Sequence, residues 1–331
     1  MRLFALLVAL LIATPARAEP LIGMSFPPVT TAQHRAFTAR ALKNLGIRHI
    51  RISENWKLRG VSPGPQDFAP LVERLDDLNA AGLKILLTIP SDGPRAVCVR
   101  QGTHGCAIAA DAPFEAYLKP LFQAVRGRVE AVQFGNEWET QFPGSAAEFI
   151  ALTNRFYAAA KQHAPGLPVV LGGITGTVPY YHAYCIEKRD PNVPKLDAAG
   201  VQQALCAKPP RAEQARVEAV FARAKYDIAD LHLYDAPGLW RAAYDWTRAR
   251  ARAPVWITEF GGPNPRFEPS GPAYLAQRIP IYLAAMRRLP APRAYYFKLT
   301  DDPASYHSQS GLYTRTGQPK DSLAAFRAAL R

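Results

Sequence analysis

Two glutamates in this chain close apolar runs, each beside residues able to bind a hydroxyl-rich ligand. In VEAVQFGNEWET, residues 129–140, the run breaks at Gly135, Asn136, Glu137 and Trp138. In PVWITEFGG, residues 254–262, it ends at Glu259. One glutamate at a strand end is ordinarily solvated or salt-bridged. Two that converge at the mouth of a barrel can cut a glycosidic bond. One carboxylic acid protonates the leaving oxygen, and one carboxylate attacks the anomeric carbon or activates water. Carboxyl groups about 5–5.5 Å apart give retention of configuration, and about 6.5–9.5 Å gives inversion.

The elements that must bring them together are legible as an alternation. Short β-branched or Leu-rich runs fall at 21–26, 47–53, 83–89, 129–135, 168–173, 226–233, 254–260 and 293–299. Segments of helical period lie between and after them, at about 31–45, 67–81, 113–126, 145–163, 211–224, 239–251, 272–288 and 319–330. Asp67 and Ser145 read as N-caps, with Gly46 and Gly82 just past C-terminal ends. Eight strands each followed by a helix, with no linker or composition break, predict an α/β fold, a single (β/α)8 TIM barrel over 19–331. An open doubly wound sheet is the alternative, but MSFPPVTTAQ after the first strand lacks a G-x-G-x-x-G phosphate loop.

Barrel sites sit on the loops after the strand C-termini. The polar residues there are Arg51 with Glu54, Asn55 and Trp56 (second strand), Asn136 and Glu137 (fourth), His232 and Tyr234 (sixth), Glu259 (seventh), and Lys298 before Asp301 and Asp302 (eighth). Three loops after strands are long: 90–112, 174–210 and 300–318. The first two each hold two of the four cysteines, Cys98 and Cys106, then Cys185 and Cys206. In an exported chain disulfides are favoured, and Cys98–Cys106 with Cys185–Cys206 is the simplest of three pairings. Disulfide-pinned loops would wall a cleft.

Export is expected from the first 18 residues. Met1-Arg2, an apolar run from Leu3 to Ala13 and the Ala-x-Ala site at Ala16–Ala18 describe a bacterial signal peptide, too short to span a bilayer. The expected address is the periplasm or the medium. No later stretch reads as a membrane span. The net charge of +13 is compatible with an anionic polysaccharide or cell envelope, but the basic residues are scattered along helical segments, and no basic-aromatic cluster points to nucleic acid. The seven histidines show no paired ligand spacing, so neither metal nor cofactor is expected. A monomer is the working expectation.

QFGNEWE, WITEFG, HLY and IRIS, in their order and at their strand ends, resemble the clan A glycoside hydrolases, retaining enzymes on a (β/α)8 barrel. The closing GLYTRTGQPKDSLAAF is similar to the tail of several families in that clan, notably families 5 and 39. The resemblance implies a role for each matching residue. Glu137 is the general acid and then base, Asn136 holds the sugar 2-hydroxyl, and Glu259 is the nucleophile. Tyr234 hydrogen-bonds the nucleophile, His232 is the sixth-strand histidine beside it, and Arg51 lies beneath.

Elementary electrostatics points the same way. A nearby cation and a phenol donor favour a carboxylate at Glu259, and partial burial with no such cation keeps Glu137 protonated. Read from the residues alone, Arg51 is either an active-site orienter or one half of a structural ion pair. His232 is either a satisfied barrel histidine or a substrate contact. Trp56, Trp138 and Trp240 are candidates to stack on sugar faces, Trp138 first among them. Trp240 and Trp246 fall at helical spacing and read as packing. Two features depart from the clan. Tyr295-Tyr296-Phe297-Lys298 has no tryptophan where many members place one, and Lys298 either meets an acidic substituent or pairs with Asp301 or Asp302. Glu54 is a third rim carboxylate, substrate-binding or structural. The expected function is a secreted retaining glycosidase acting on a β-linked glycan. The alternative is a barrel that binds glycan without cleaving it, in polysaccharide export or assembly.

Overall fold

The computed structural model describes residues 19–59, 67–103, 105–193, 206–263, 269 and 271–331; the expected signal peptide lies outside them. Eight parallel strands build one sheet: β1 (Leu21–Ser25), β2 (His49–Ser53), β3 (Lys84–Ile89), β4 (Ala131–Phe134), β5 (Val169–Leu171), β6 (Ala229–Tyr234), β7 (Val255–Gly261) and β8 (Arg293–Phe297). Their order is β5-β4-β3-β2-β1-β8-β7-β6, and the parallel bridges Val170–Ile228 and Ile174–Leu231 bring the two edges together. The long helices are α1 (Ala32–Leu45), α2 (Ala69–Ala80), α3 (Ala112–Val125), α4 (Ala146–His163), α5 (Arg211–Arg223), α6 (Trp240–Arg250), α7 (Pro272–Arg287) and α8 (Asp321–Leu330). This is the (β/α)8 barrel, each strand and helix lying where the sequence places it.

Local chemistry fixes the helix ends. The Thr31 hydroxyl accepts from the His34 amide at the start of α1, and Gly46 ends that helix at φ 71°, a conformation without penalty for glycine. Ser145 and Glu148 form a reciprocal capping box at α4. Asp67 accepts from the Ala69 amide, but the cap position itself is Phe68.

The strands are buried on both faces, as parallel strands covered by helices must be. In β3, Ile85, Leu87 and Ile89 join the continuous core under the helices. The alternate residue Leu86 belongs instead to a separate cluster with Ala131, Val170, Ile228, Trp256 and Tyr295, the apolar filling of the ring. Further along the strands the buried set turns polar: Ser25, Arg51, Thr88, Gln133, Asp230, His232, Thr258 and Glu259. That change from apolar to polar filling is what creates a site at one end of the barrel.

Two disulfides form, Cys98–Cys106 and Cys185–Cys206, in the loops after β3 and β5. The first staples an antiparallel hairpin, Cys98–Gln101 against Cys106–Ile108. The second spans 21 residues. Closing a loop of that length removes unfolded-state entropy worth about 3 kcal/mol. The Cys185→Ser/Cys206→Ser double variant is therefore expected to melt several degrees below the parent, a shift read by thermal denaturation without reductant. Among the described residues, no helix is long and apolar enough to cross a membrane.

Candidate active site

Glu137 stands three residues past the end of β4 and caps the short helical turn Trp138–Gln141 with its backbone at φ 43°. Phe26 after β1 (φ 44°) and Asp235 after β6 (φ 64°) are likewise left-handed, and all three line the same cleft. A non-glycine residue so held costs on the order of 1–3 kcal/mol and persists only where its surroundings over-determine it. Glu259 lies in β7, paired in register with His232 of β6. The strand pairing therefore carries the glutamate to the histidine, and the histidine reaches Glu137.

Arg51 is the hub. It is fully buried, and its Nη1 donates to Glu259 Oε1 at 2.5 Å, its Nη2 to Asn136 Oδ1 at 2.7 Å and its Nε to Gln133 Oε1 at 2.7 Å. Its guanidinium carbon stands 4.4 Å from the Phe26 ring centroid. Tyr234 donates its hydroxyl to Glu259 Oε2 at 2.5 Å. Both oxygens of Glu259 are thus held by donors, one of them a cation. Arg51 also takes the Asn136 carbonyl oxygen, leaving the amide NH2 as the group for a ligand hydroxyl.

Glu137 has different company. Its Oε2 accepts from Gln141 Nε2 at 2.9 Å, and its Oε1 lies 3.0 Å from His232 Nδ1. The same ring nitrogen is 3.7 Å from Glu259 Oε2. One oxygen of Glu137 and one of Glu259 lie within 4.8 Å of each other. Oxygens this close are compatible with the short carboxyl separation of a retaining reaction.

Burial drives the carboxyl of Glu137 upward, but the His232 hydrogen bond and charge, with Arg51 and Gln141, outweigh it and hold the group below its usual range. Burial likewise drives the His232 imidazole down, yet the carboxylates of Glu259, Asp230 and Glu137 outweigh that and push it up to about 10. This corrects the expectation that Glu137 has no cation beside it: the neighbour is His232, and the pair's proton rests on the ring. A proton bound more tightly in the fold than in the unfolded chain stabilises fully below about pH 6.5 and is lost as pH rises toward about 10. The melting temperature should fall across that window, and more steeply than in His232→Asn, as followed by calorimetry at stepped pH.

Glu137, His232 and Glu259 present three donor atoms at cation-binding spacing. Arg51 and Tyr234 already occupy the Glu259 oxygens, so this arrangement fits an ion-paired network better than a metal centre. Asp92, Cys98 and Cys106 also cluster, but the two sulfurs are bonded to each other.

No protein-family model matches the sequence, and no curated protein does. Solved structures do. GH5_18 from Streptomyces cattleya, crystallised with GlcNAc, aligns with a TM-score of 0.70 at 16% identity over 96% of this chain and 80% of that one. An exo-beta-1,4-mannosidase from Opitutaceae bacterium strain TAV5 aligns at 0.65 and 17% identity, over 96% of this chain and 60% of its own length. A family 39 glycoside hydrolase from Bacteroides cellulosilyticus WH2 aligns at 0.62 and 17% identity, over 94% and 64%. These alignments show a shared (β/α)8 barrel fold.

Within that fold, several side chains lie elsewhere than the sequence suggests. Trp138 does not face the cleft: it is fully buried, stacked on Phe149 at 4.6 Å, with its indole N–H on Gly172 O at 2.9 Å. It ties the turn carrying Glu137 to the end of β5. Trp56 is also buried, stacked on Tyr117 at 4.7 Å. Core packing takes both rings because large apolar surfaces gain most by leaving water. Trp240 is buried, as its helical spacing suggests. Lys298 pairs with Asp302 at 2.7 Å, and Glu54 with Arg74 at 2.6 Å.

The aromatic lining comes from residues that the sequence did not single out. His307, on the loop after β8, stacks flat on Tyr234 at 4.1 Å and 8°. Phe297 meets the Tyr234 ring edge-on at 5.8 Å. Tyr180, Tyr181, Tyr184 and Tyr306 complete the walls of a cleft of about 830 Å³. Thr88, Gln133, Asp230 and Thr258 form a buried polar network beneath the site. Gln133 Nε2 donates to Asp230 Oδ2 at 2.5 Å, and Asp230 takes the Thr258 amide at 2.9 Å. A polar residue inside each apolar strand was the available signal. Gly173 is needed beside this network, since a Cβ there would stand 2.2 Å from His232 Nε2.

Proposed function

We propose that this protein is a retaining glycoside hydrolase acting on a β-linked glycan, exported to the periplasm or the medium. The observation that carries the reading is the approach of Glu137 and Glu259 to within 4.8 Å at the rim of a clan A barrel. The exported address rests on the signal-like first 18 residues and the two disulfides. An anionic polysaccharide is a substrate in keeping with the basic charge of the chain.

The groups divide the work by environment. Glu259, positioned by Arg51 and Tyr234, attacks the anomeric carbon and forms a glycosyl ester as the glycosidic C–O bond breaks. Glu137 delivers a proton to the departing oxygen. It receives that proton from His232 Nδ1, 3.0 Å away, as the leaving oxygen approaches. In the second step Glu137 takes a proton from water, the water oxygen attacks the same carbon, and Glu259 departs as carboxylate. Asn136 holds a hydroxyl of the reacting sugar, a contact that can tighten as charge develops.

A barrel that only binds glycan is the competing reading. It gives no reason to keep two glutamates this close with a histidine between them. Proton NMR of the first product from a panel of aryl β-glycosides tests the proposal. The β-anomer should form first and mutarotate afterwards. An α-anomer as first product, or no cleavage across the panel, would overturn it.

A further inference from the structure

The turn that carries Glu137 contains a second carboxyl that the chemistry above leaves unused. Glu139, two residues further on, is only 7% exposed. Its Oε1 accepts the Thr175 backbone amide at 2.5 Å. Among the described residues, its Oε2 is buried with no hydrogen-bond partner. A buried carboxyl with one oxygen unpaired is costly, so the single bond it makes calls for a reason.

That bond joins two parts of the site. Thr175 begins the loop after β5 and lines the large cleft with Gly176 and Thr177. The turn Trp138–Gln141 sets the acid in place from the other side. The Glu137 carbonyl accepts from the Gln141 amide at 2.9 Å, and the Gln141 side chain donates to Glu137 Oε2 at 2.9 Å. Two further contacts seat this turn on the barrel. The Trp138 indole reaches Gly172 O, and Arg216 Nη2 from α5 donates to Trp138 O at 3.3 Å and Phe142 O at 2.8 Å. The Glu139 bond is the tie that reaches the cleft wall.

The charge on Glu139 depends on its neighbours. Burial is the largest influence and pushes the carboxyl up to about 7 against the pull of Thr175, and the nearby Glu137 carboxylate adds to the rise. Arg216 on α5 is the cation that Glu139 acts on, and Glu148 of α4 acts on the same guanidinium. The loop after β5 presents the Thr175 amide and hydroxyl, neither of which titrates. A carboxylate accepts an amide proton more strongly than a neutral carboxyl does. The tie therefore tightens as Glu139 loses its proton.

We propose that Glu139 is a positioning residue for proton transfer: through the Thr175 amide, its carboxylate locks the turn of Glu137 to the cleft wall and so fixes where the acid stands. The inference rests on the glycosidase reading for the step it serves, and one of its two measurements needs no turnover.

The first measurement is kcat/KM, which reports the first step, for methyl and dinitrophenyl β-glycosides of one sugar from roughly pH 5.5 to 8.5. Methanol departs only with a proton, whereas dinitrophenolate needs none. On the methyl glycoside the parent should gain about three- to tenfold as pH rises through about 7. Glu139→Gln keeps an acceptor without the charge and should stay at the lower level throughout. Glu139→Ala should lose about tenfold or more at every pH, and Glu139→Gln carries the test where the alanine variant does not fold. The dinitrophenyl glycoside should change by less than about twofold in each protein. Equal losses on both substrates, or a parent pH limb that Glu139→Gln retains, would overturn the proposal. The second measurement is nitrogen-15 NMR of threonine-labelled protein, with Thr175→Ser marking the Thr175 peak. The Thr175 amide should titrate near pH 7 in the parent and stay still in Glu139→Gln. An amide that does not move in the parent sinks the tie whether or not any glycoside is cleaved. A titrating amide with no hydrolysis keeps the tie and sinks the glycosidase reading instead.

Discussion

Glu259→Gln should lower kcat on an aryl β-glycoside by on the order of 10⁴–10⁶, the scale seen when an enzyme loses its nucleophile. An amide oxygen is too weak a nucleophile to displace the leaving group and form the glycosyl ester. The choice of glutamine matters for the fold. Arg51 is fully buried, and deleting its partner leaves a charge without compensation, at a cost of about 3–5 kcal/mol. The glutamine carbonyl still accepts from Arg51 or Tyr234 but carries no charge, so Glu259→Gln should fold and melt below the parent, by less than a variant with no acceptor there. In Glu259→Gly the cavity beside Arg51 suits a small anion. Added azide should restore turnover and yield the α-glycosyl azide, with inverted configuration, identified by NMR. Wild-type turnover by Glu259→Gln in stopped assays would remove this residue from the mechanism.

For Glu137→Gln the expected loss is about 10²–10⁴ in kcat, and it should depend on the leaving group. An alkyl aglycone departs only with a proton and should suffer fully. A dinitrophenyl aglycone departs without one, so its first step should survive and the glycosyl-enzyme should accumulate, visible as a burst. Azide should relieve that accumulation and give the β-azide, because it attacks without a general base. The variant also uncouples His232 from its partner at 3.0 Å, so the pH profile should lose the limb that the pair sets. A uniform loss across leaving groups, with no burst, would assign Glu137 to binding rather than proton transfer.

The sequence alone determined the alternation of strands and helices, since burial of parallel strands on both faces demands continuous apolar runs, and amphipathic helices demand a 3.6-residue period. It also marked Glu137 and Glu259, because a carboxylate ending an apolar strand is costly unless something uses or pairs it. Arg51, Tyr234 and Asn136 were legible for the same reason, and the cysteine pairs through their short spacing.

What only the tertiary structure decided was partnership. The distance between Glu137 and Glu259 depends on how β4 and β7 face each other across the ring. The charge on Glu137 depends on His232, 95 positions further along the chain. Trp138 and Trp56 show the limit of local reading: their types suit either a sugar face or a core, and helices packed outside the ring claimed both. His307 gave no sequence signal, because a loop residue becomes part of a cleft only when the loop folds back over it. Side-chain chemistry is written residue by residue, whereas its charge state and company are set by contacts between residues far apart in the chain.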